Sequence, residues 1–168
     1  MSLKSSSSAT QQRFLDIVRE NEGLIYKVCY MYAENDEHLK DLYQEVIANI
    51  WQGLDSYRGQ SKVSTWIYRI AINTCVSYLR RNSRYGRSET IDDVRALSIV
   101  DEGYEHAQQL KAMYEMIGLL GKLDKAIIML WLDEYSYDEI SAMTGISRNN
   151  VASRLHRIKQ RLISHNNS

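Results

Sequence analysis

Not one of the 168 residues is proline. Proline is the strongest helix breaker, because its ring removes a backbone N–H and clashes with the preceding turn. Without it, long helices can run uninterrupted. Apolar residues recur here at three- and four-residue spacing over long stretches. No stretch shows sustained period-two alternation bounded by turn residues. The pattern predicts an all-α fold. At about 150 residues per domain, the length suits one domain or two small ones.

Hydrophobic residues make up 44% and charged residues 25% of the chain, which excludes a mainly disordered or collagen-like protein. Two cysteines, Cys29 and Cys75, cannot build a disulfide framework and form no CxxC pair. No run approaches the roughly 18 apolar residues of a membrane span. The Ser-rich start, Met1 to Gln12, lacks the apolar segment of a secretory signal. These features predict a reduced, cytoplasmic protein with no membrane insertion. His38, His106, His156 and His165 are dispersed, and there is no HExxH, phosphate-binding Gly-rich loop or G-x-S-x-G elbow. No catalytic residues, metal or cofactor are therefore expected.

Net charge is zero, but it is unevenly spread. Residues 1–86 carry 11 basic and 9 acidic side chains, residues 87–110 carry 2 and 6, and residues 111–168 carry 8 and 6. An acidic strip separates two mildly basic blocks. The expected organisation is a flexible tail over 1–11, a helical domain over 12–84, a flexible acidic linker over 85–103, and a second helical domain over 104–168. Asn21–Gly23 and Glu34–Asp36 should punctuate the first domain, and Gly53 to Lys62 should form a longer polar break.

The clearest local signal is YSYDEISAMTGISRNNVASRLHRIKQRL, Tyr135 to Leu162. Ser136 and Glu139 have capping-box spacing, so a helix should start there. Ile140 and Met143 can face inward. Gly145 suits the left-handed position that ends a helix, Ile146 would plug the turn, and Ser147 would cap the next helix. Val151, Leu155, Ile158 and Leu162 then form one apolar face. Asn149, Asn150, Ser153, Arg157 and Arg161 fall away from it, with Arg154 on the flank. Two helices around a tight Gly turn read as a helix-turn-helix whose second helix enters the major groove. Arg can read guanine edges, Asn adenine edges, and Ser can grip phosphates. Against a merely solvated helix face, the cap–Gly–cap spacing favours DNA binding. Upstream, Leu110, Met113, Tyr114, Ile117, Leu120 and the apolar run Ala126–Leu132 read as core. An exposed partner patch at Met129 and Trp131 is the less favoured reading.

In the first domain, the helix expected over Asp36–Leu54 should bury Leu39, Leu42, Val46, Ile47 and Ile50. It lines Asp41, Gln44, Glu45 and Gln52 along one polar face. The next helix, expected over Ser64–Arg81, leaves a narrow strip of Trp66, Arg69, Asn73, Ser77 and Arg80 outside its apolar side. An indole can stack on an unpaired base while Arg neutralises phosphates. Two readings stand for this strip: a single-strand nucleic-acid surface, or a half-buried Trp beside solvating Arg residues. Cys75 falls on the packing side.

Two segments resemble the same family. DLYQEVIANIWQGLDSYRGQSKVSTWIYRIAINTCVSYLRR, Asp41 to Arg81, resembles region 2 of bacterial RNA polymerase sigma factors, and the helix-turn-helix block resembles region 4. Both segments, in this order in a short chain, resemble the extracytoplasmic-function (ECF) group of the sigma-70 family. The resemblance implies two helical domains that bind core RNA polymerase and promoter DNA. It implies polymerase docking through the helix of Asp41, Gln44, Glu45 and Gln52. It implies −10 recognition and melting by Tyr57, Arg58, Lys62, Trp66, Arg69 and Asn73, with Arg80, Arg81 and Arg84 at nearby phosphates. For the −35 element it implies Ser147, Arg148, Asn149, Asn150, Ser153, Arg154 and Arg157. An anti-sigma protein is a further partner implied. Local departures are Val63 where the family often has an aromatic residue, Ser141 where Ala is usual, Asn149-Asn150-Val151 for Gly-Thr-Val, and Leu123-Asp124 for Leu-Pro. Asp124 can cap a helix as Pro can start one. The competing class is a helix-turn-helix regulator that acts without polymerase, its first domain binding a ligand or dimerising. It leaves Trp66, Arg69 and Asn73 unexplained.

Overall fold

The computed structural model describes residues 3–82 and 104–166. The expected linker and Arg84 lie outside the described residues. The described residues form eight α-helices and one 3-10 turn, with no strand among them. The chain divides into two compact units, Met1–Ile91 and Asp92–Ser168.

In the first unit, α1 spans Leu3–Glu20 and α2 spans Glu22–Tyr32. Helix α1 starts well before Gln12, where the helical block was expected to begin. Between Leu3 and Gln11 there is no Pro or Gly to stop it, and Ser is only a mild helix disfavourer. Asn21 separates α1 from α2, and its Nδ2 donates back to the Ile17 carbonyl at 2.8 Å, satisfying an orphan acceptor at the end of α1. Helix α3 spans Asp36–Gly53. Asn35 caps it, accepting from the His38 N–H at 2.9 Å, and Asp36 and Glu37 complement the positive end of the helix dipole. A 3-10 turn over Leu54–Ser56 follows, then a loop to Lys62, then α4 over Val63–Asn82.

Helices α2, α3 and α4 pack on one another. Their core holds Ile25, Val28 and Cys29 of α2, Leu39, Leu42, Val46 and Ile50 of α3, and Ile67, Tyr68, Ala71, Ile72 and Cys75 of α4. Ile47 is only half-buried, on the shoulder of the expected stripe. Both cysteines are buried free thiols. The Tyr32 phenol is 2% exposed, and its pKa is raised by burial, with a smaller contribution from Cys75.

The second unit contains α5 (Tyr104–Gly118), α6 (Lys122–Leu132), α7 (Tyr137–Thr144) and α8 (Arg148–Asn166). Its core is Ile117, the run Ala126–Leu130, Ile140, Met143, Val151, Leu155 and Ile158. Met129 is therefore a core residue and not part of an exposed patch. Helix α6 is short and its apolar run faces neighbours on several sides. Trp131 is half-buried under Lys159, whose Nζ stands 3.8 Å from the indole centroid. Leu162 is half-buried at the end of the apolar face of α8.

Candidate nucleic-acid interface

In the first unit, α4 carries the aromatic-polar strip. Trp66, Arg69 and Asn73, at i, i+3 and i+7, share one side of the helix; Arg69 and Asn73 are exposed and Trp66 is half-buried. The Trp66 ring stacks on Tyr57, with centroids 4.7 Å apart and planes at 28°. A Cβ built on Gly53 would stand 3.2 Å from its ring, so glycine there permits the close approach. The indole is thus seated between the end of α3 and the following loop. The ring is therefore half-buried, as the second of the two readings has it, with Arg69 and Asn73 exposed beside it.

The loop is folded on itself. The Tyr57 hydroxyl donates to the Ser61 carbonyl, the Arg58 N–H donates to Gln60 Oε1 at 3.0 Å, and Gly59 has φ +77°. Arg58 and Lys62 are exposed on it. Cross-links hold α4 against α3. Asn49 Nδ2 donates to Thr74 Oγ1 at 2.9 Å, next to Asn73 in sequence. The Tyr78 hydroxyl donates to Asp41 Oδ2 at 3.3 Å, and Arg81 pairs with Glu45 at 3.2 Å. Asp41 and Glu45, expected at the polymerase face, are therefore joined to the end of α4. Gln44 and Gln52 are exposed on α3, and Arg80 is exposed on α4. The Arg81–Glu45 pair is solvent-exposed and adds little stability.

In the second unit, the helix-turn-helix is built by its caps. Ser136 Oγ accepts from the Glu139 N–H at 3.2 Å, and the Glu139 carboxylate accepts from the Ser136 N–H at 2.7 Å. Such a cap stabilises by about 1 kcal/mol. Helix α7 ends at Gly145 with φ +78°, the left-handed position expected for it. Ser147 Oγ accepts from the Asn150 N–H at 3.2 Å, starting α8. The Ser141 hydroxyl donates to the Ile146 carbonyl at 2.6 Å and ties the turn closed. Sequence reasoning marked Ser141 only as a departure.

Ser147, which caps α8, and Arg148, Asn149, Asn150, Ser153 and Arg157 on it are exposed. Arg148 pairs with Asp138 at 3.2 Å. Arg154 stands apart: its Nη1 donates to Asp124 Oδ1 at 2.7 Å in a pair that is partly buried, whereas the Arg148 pair is exposed. Asp124 does not cap α6: the N-cap is Gly121, and Asp124 sits in the first turn with its carboxylate spent on Arg154. Also unforeseen is Glu134, at φ +66° after α6. Its N–H donates to the Trp131 carbonyl and that of Tyr135 to the Leu130 carbonyl, which is a Schellman ending with Glu where Gly is usual.

One unit with exposed Arg69 and Asn73 beside a half-buried Trp66, and another with a capped helix-turn-helix, make an all-helical candidate for nucleic-acid binding among the described residues. Residues 17–85 match sigma-70 region 2, and residues 110–162 match sigma-70 region 4. The ECF RNA polymerase sigma factor SigW of Bacillus subtilis (strain 168) is 26% identical over 172 residues, covering 95% of this chain and 92% of SigW. The ECF RNA polymerase sigma-E factor of Escherichia coli (strain K12) is 30% identical over 132 residues, covering 71% of this chain and 69% of that protein. The fold is similar to that of the sigma factor RpoE from Bartonella quintana, solved in complex with the anti-sigma factor NepR, with a TM-score of 0.71 at 19% identity over 90% of this chain and 92% of that one. This chain belongs to the ECF group of sigma-70 RNA polymerase sigma factors. Family membership through both segments disfavours the stand-alone regulator.

Proposed function

We propose that this sigma factor directs transcription initiation by dividing promoter recognition between its two units. The first unit docks on core RNA polymerase through the α3 face of Asp41, Gln44, Glu45 and Gln52. It opens the −10 element with the loop residues Tyr57, Arg58 and Lys62 and the strip Trp66, Arg69 and Asn73. Arg80 and Arg81 hold phosphates nearby. The second unit reads the duplex −35 element through the N-terminal half of α8: Ser147, Arg148, Asn149, Asn150, Ser153, Arg154 and Arg157. Catalysis belongs to the polymerase, and the sigma factor works in the cytoplasm with the machinery it directs. An anti-sigma protein is a further partner; of two solved chains of similar fold, the sigma factor RpoE was determined with the anti-sigma factor NepR, and CnrH with the cytosolic domain of CnrY.

The observation that carries this reading is the coexistence of an aromatic-polar helix strip and a capped helix-turn-helix in one chain of zero net charge. An unpaired base needs a stacking platform, and flipping it costs a few kcal/mol that stacking offsets. Intact duplex needs a helix in the major groove. Near-neutral charge keeps nonspecific affinity low, so polymerase must supply the missing affinity by fixing the spacing of two weak sites. Run-off transcription with purified core polymerase on fragments of the source genome tests this. Specific transcripts that start only when the chain is present are expected. Failure to associate with core, or tight operator binding unaffected by core, would overturn the proposal.

A further inference from the structure

Arg154 differs from the other polar residues on its side of α8. Ser153 and Arg157 are exposed, whereas Arg154 is held by Asp124 across 30 residues of sequence, with side-chain exposures of 32% and 23%. Arg154 Nε is buried and has no hydrogen-bond partner. A buried donor left unpaired is uncommon and calls for a reason. Here the reason is that the carboxylate, not the sum of its own donors, decides where the guanidinium lies.

Holding an arginine this way has two consequences for reading DNA. A long side chain loses rotamer freedom when it binds, and one restrained beforehand loses less. An adjacent negative charge also weakens its general pull on phosphates, which is Coulombic, more than its directional hydrogen bonding to a base edge. A restrained, half-neutralised arginine favours base reading over backbone gripping.

We propose that Asp124 is a positioning residue for −35 recognition: from the first turn of α6 it pre-orients Arg154 on the recognition helix and sets it to read a base pair instead of a phosphate. This rests on the assignment of α8 to the −35 element. The test uses the full chain bound to core polymerase. Binding is measured to promoter fragments carrying every single substitution across the −35 element, over a series of salt concentrations.

Asp124→Asn keeps the shape and removes the charge. Discrimination at one base pair should fall about tenfold. The slope of log affinity against log salt should steepen by about 0.9 as the released Arg154 finds a phosphate. Arg154→Ala should lose the same discrimination without the steepening, and the double variant should match Arg154→Ala, because Asp124 acts through Arg154. Asp124→Glu, which returns the carboxylate, should restore discrimination at least in part. A uniform loss of affinity across all −35 variants with the slope unchanged would reduce the pair to a brace between helices and overturn the proposal. So would additive effects of the two substitutions. Should Asp124→Asn be too unstable to bind, Arg154→Lys decides: it keeps the charge and loses the planar fork, so retained discrimination overturns the proposal. A wild-type holoenzyme with no −35 preference would sink the parent assignment as well, whereas wild-type preference untouched by Asp124→Asn sinks only this one.

Discussion

The two units present their candidate recognition residues by opposite means. In the second unit, neighbouring residues do most of the local shaping: Ser136 with Glu139, Gly145, and Ser147 set where α7 and α8 start and stop. In the first unit, contacts between separate elements do it. Trp66 is seated by Tyr57 and Gly53, and α4 is tied to α3 through Asn49–Thr74, Tyr78–Asp41 and Arg81–Glu45. The difference suits the tasks proposed. A major-groove reader needs one rigid helix of fixed orientation, which caps and a left-handed turn can supply. A surface for an unpaired strand needs an aromatic ring, a loop and a helix face brought together, which only packing supplies.

The sharpest way to separate the units is Trp66→Ala. Base stacking contributes about 1–3 kcal/mol, so open-complex formation should fall roughly 5- to 150-fold. Binding to −35 sequences should stay as it was. Permanganate footprinting on duplex promoters reads the opening and gel shifts of the holoenzyme on −35 fragments read the binding; a loss of −35 binding equal to the opening defect would argue against a specific role in opening. Gly145→Ala attacks the other side. Open space surrounds a Cβ there, so the cost comes from the backbone at φ +78° alone, about 1–2 kcal/mol. Thermal denaturation should show that loss, and −35 affinity should drop with it.

Alkaline pH should act on the first unit through Tyr32. Burial holds its phenol in the neutral form well above the ordinary 10.0. Above that value the unfolded chain ionises first and binds fewer protons, so stability falls as pH rises, at most about 1.4 kcal/mol per pH unit. Denaturant titrations between pH 9 and about 11 should show the decline in the wild type and a shallower one in Tyr32→Phe. Identical slopes would count against a buried neutral phenol as the cause. The smallest effect belongs to Glu134→Gly. Relieving a non-glycine residue at φ +66° should stabilise the second unit by about 0.5–1 kcal/mol, seen as a higher melting temperature.

Much of the second unit was legible in the chain. The capping box, the left-handed glycine and the inward faces of Ile140, Met143, Val151, Leu155 and Ile158 all follow from spacings of a few residues, and the structure places each as expected. What escaped was of another kind. Asp124 was read as a cap and instead holds Arg154. Glu134 takes a conformation that glycine usually takes, and nothing in its residue type announces it. In the first unit the strip of α4 could be traced, but not that Trp66 would be half-covered by Tyr57, nor that Asn49 would reach Thr74.

Helical periodicity, caps and turn glycines act within one or two turns of chain, over distances fixed by covalent geometry. The sequence alone therefore determined the all-helical class, the helix-turn-helix and the two candidate recognition faces. Which carboxylate meets which guanidinium, and which ring covers which, depends on residues 9 to 36 positions apart, such as Tyr57–Trp66 and Glu45–Arg81. Those pairings exist only once the helices have packed, because the burial of apolar faces sets the distance between them. Tertiary structure decided how Trp66 is seated and what Arg154 is held by.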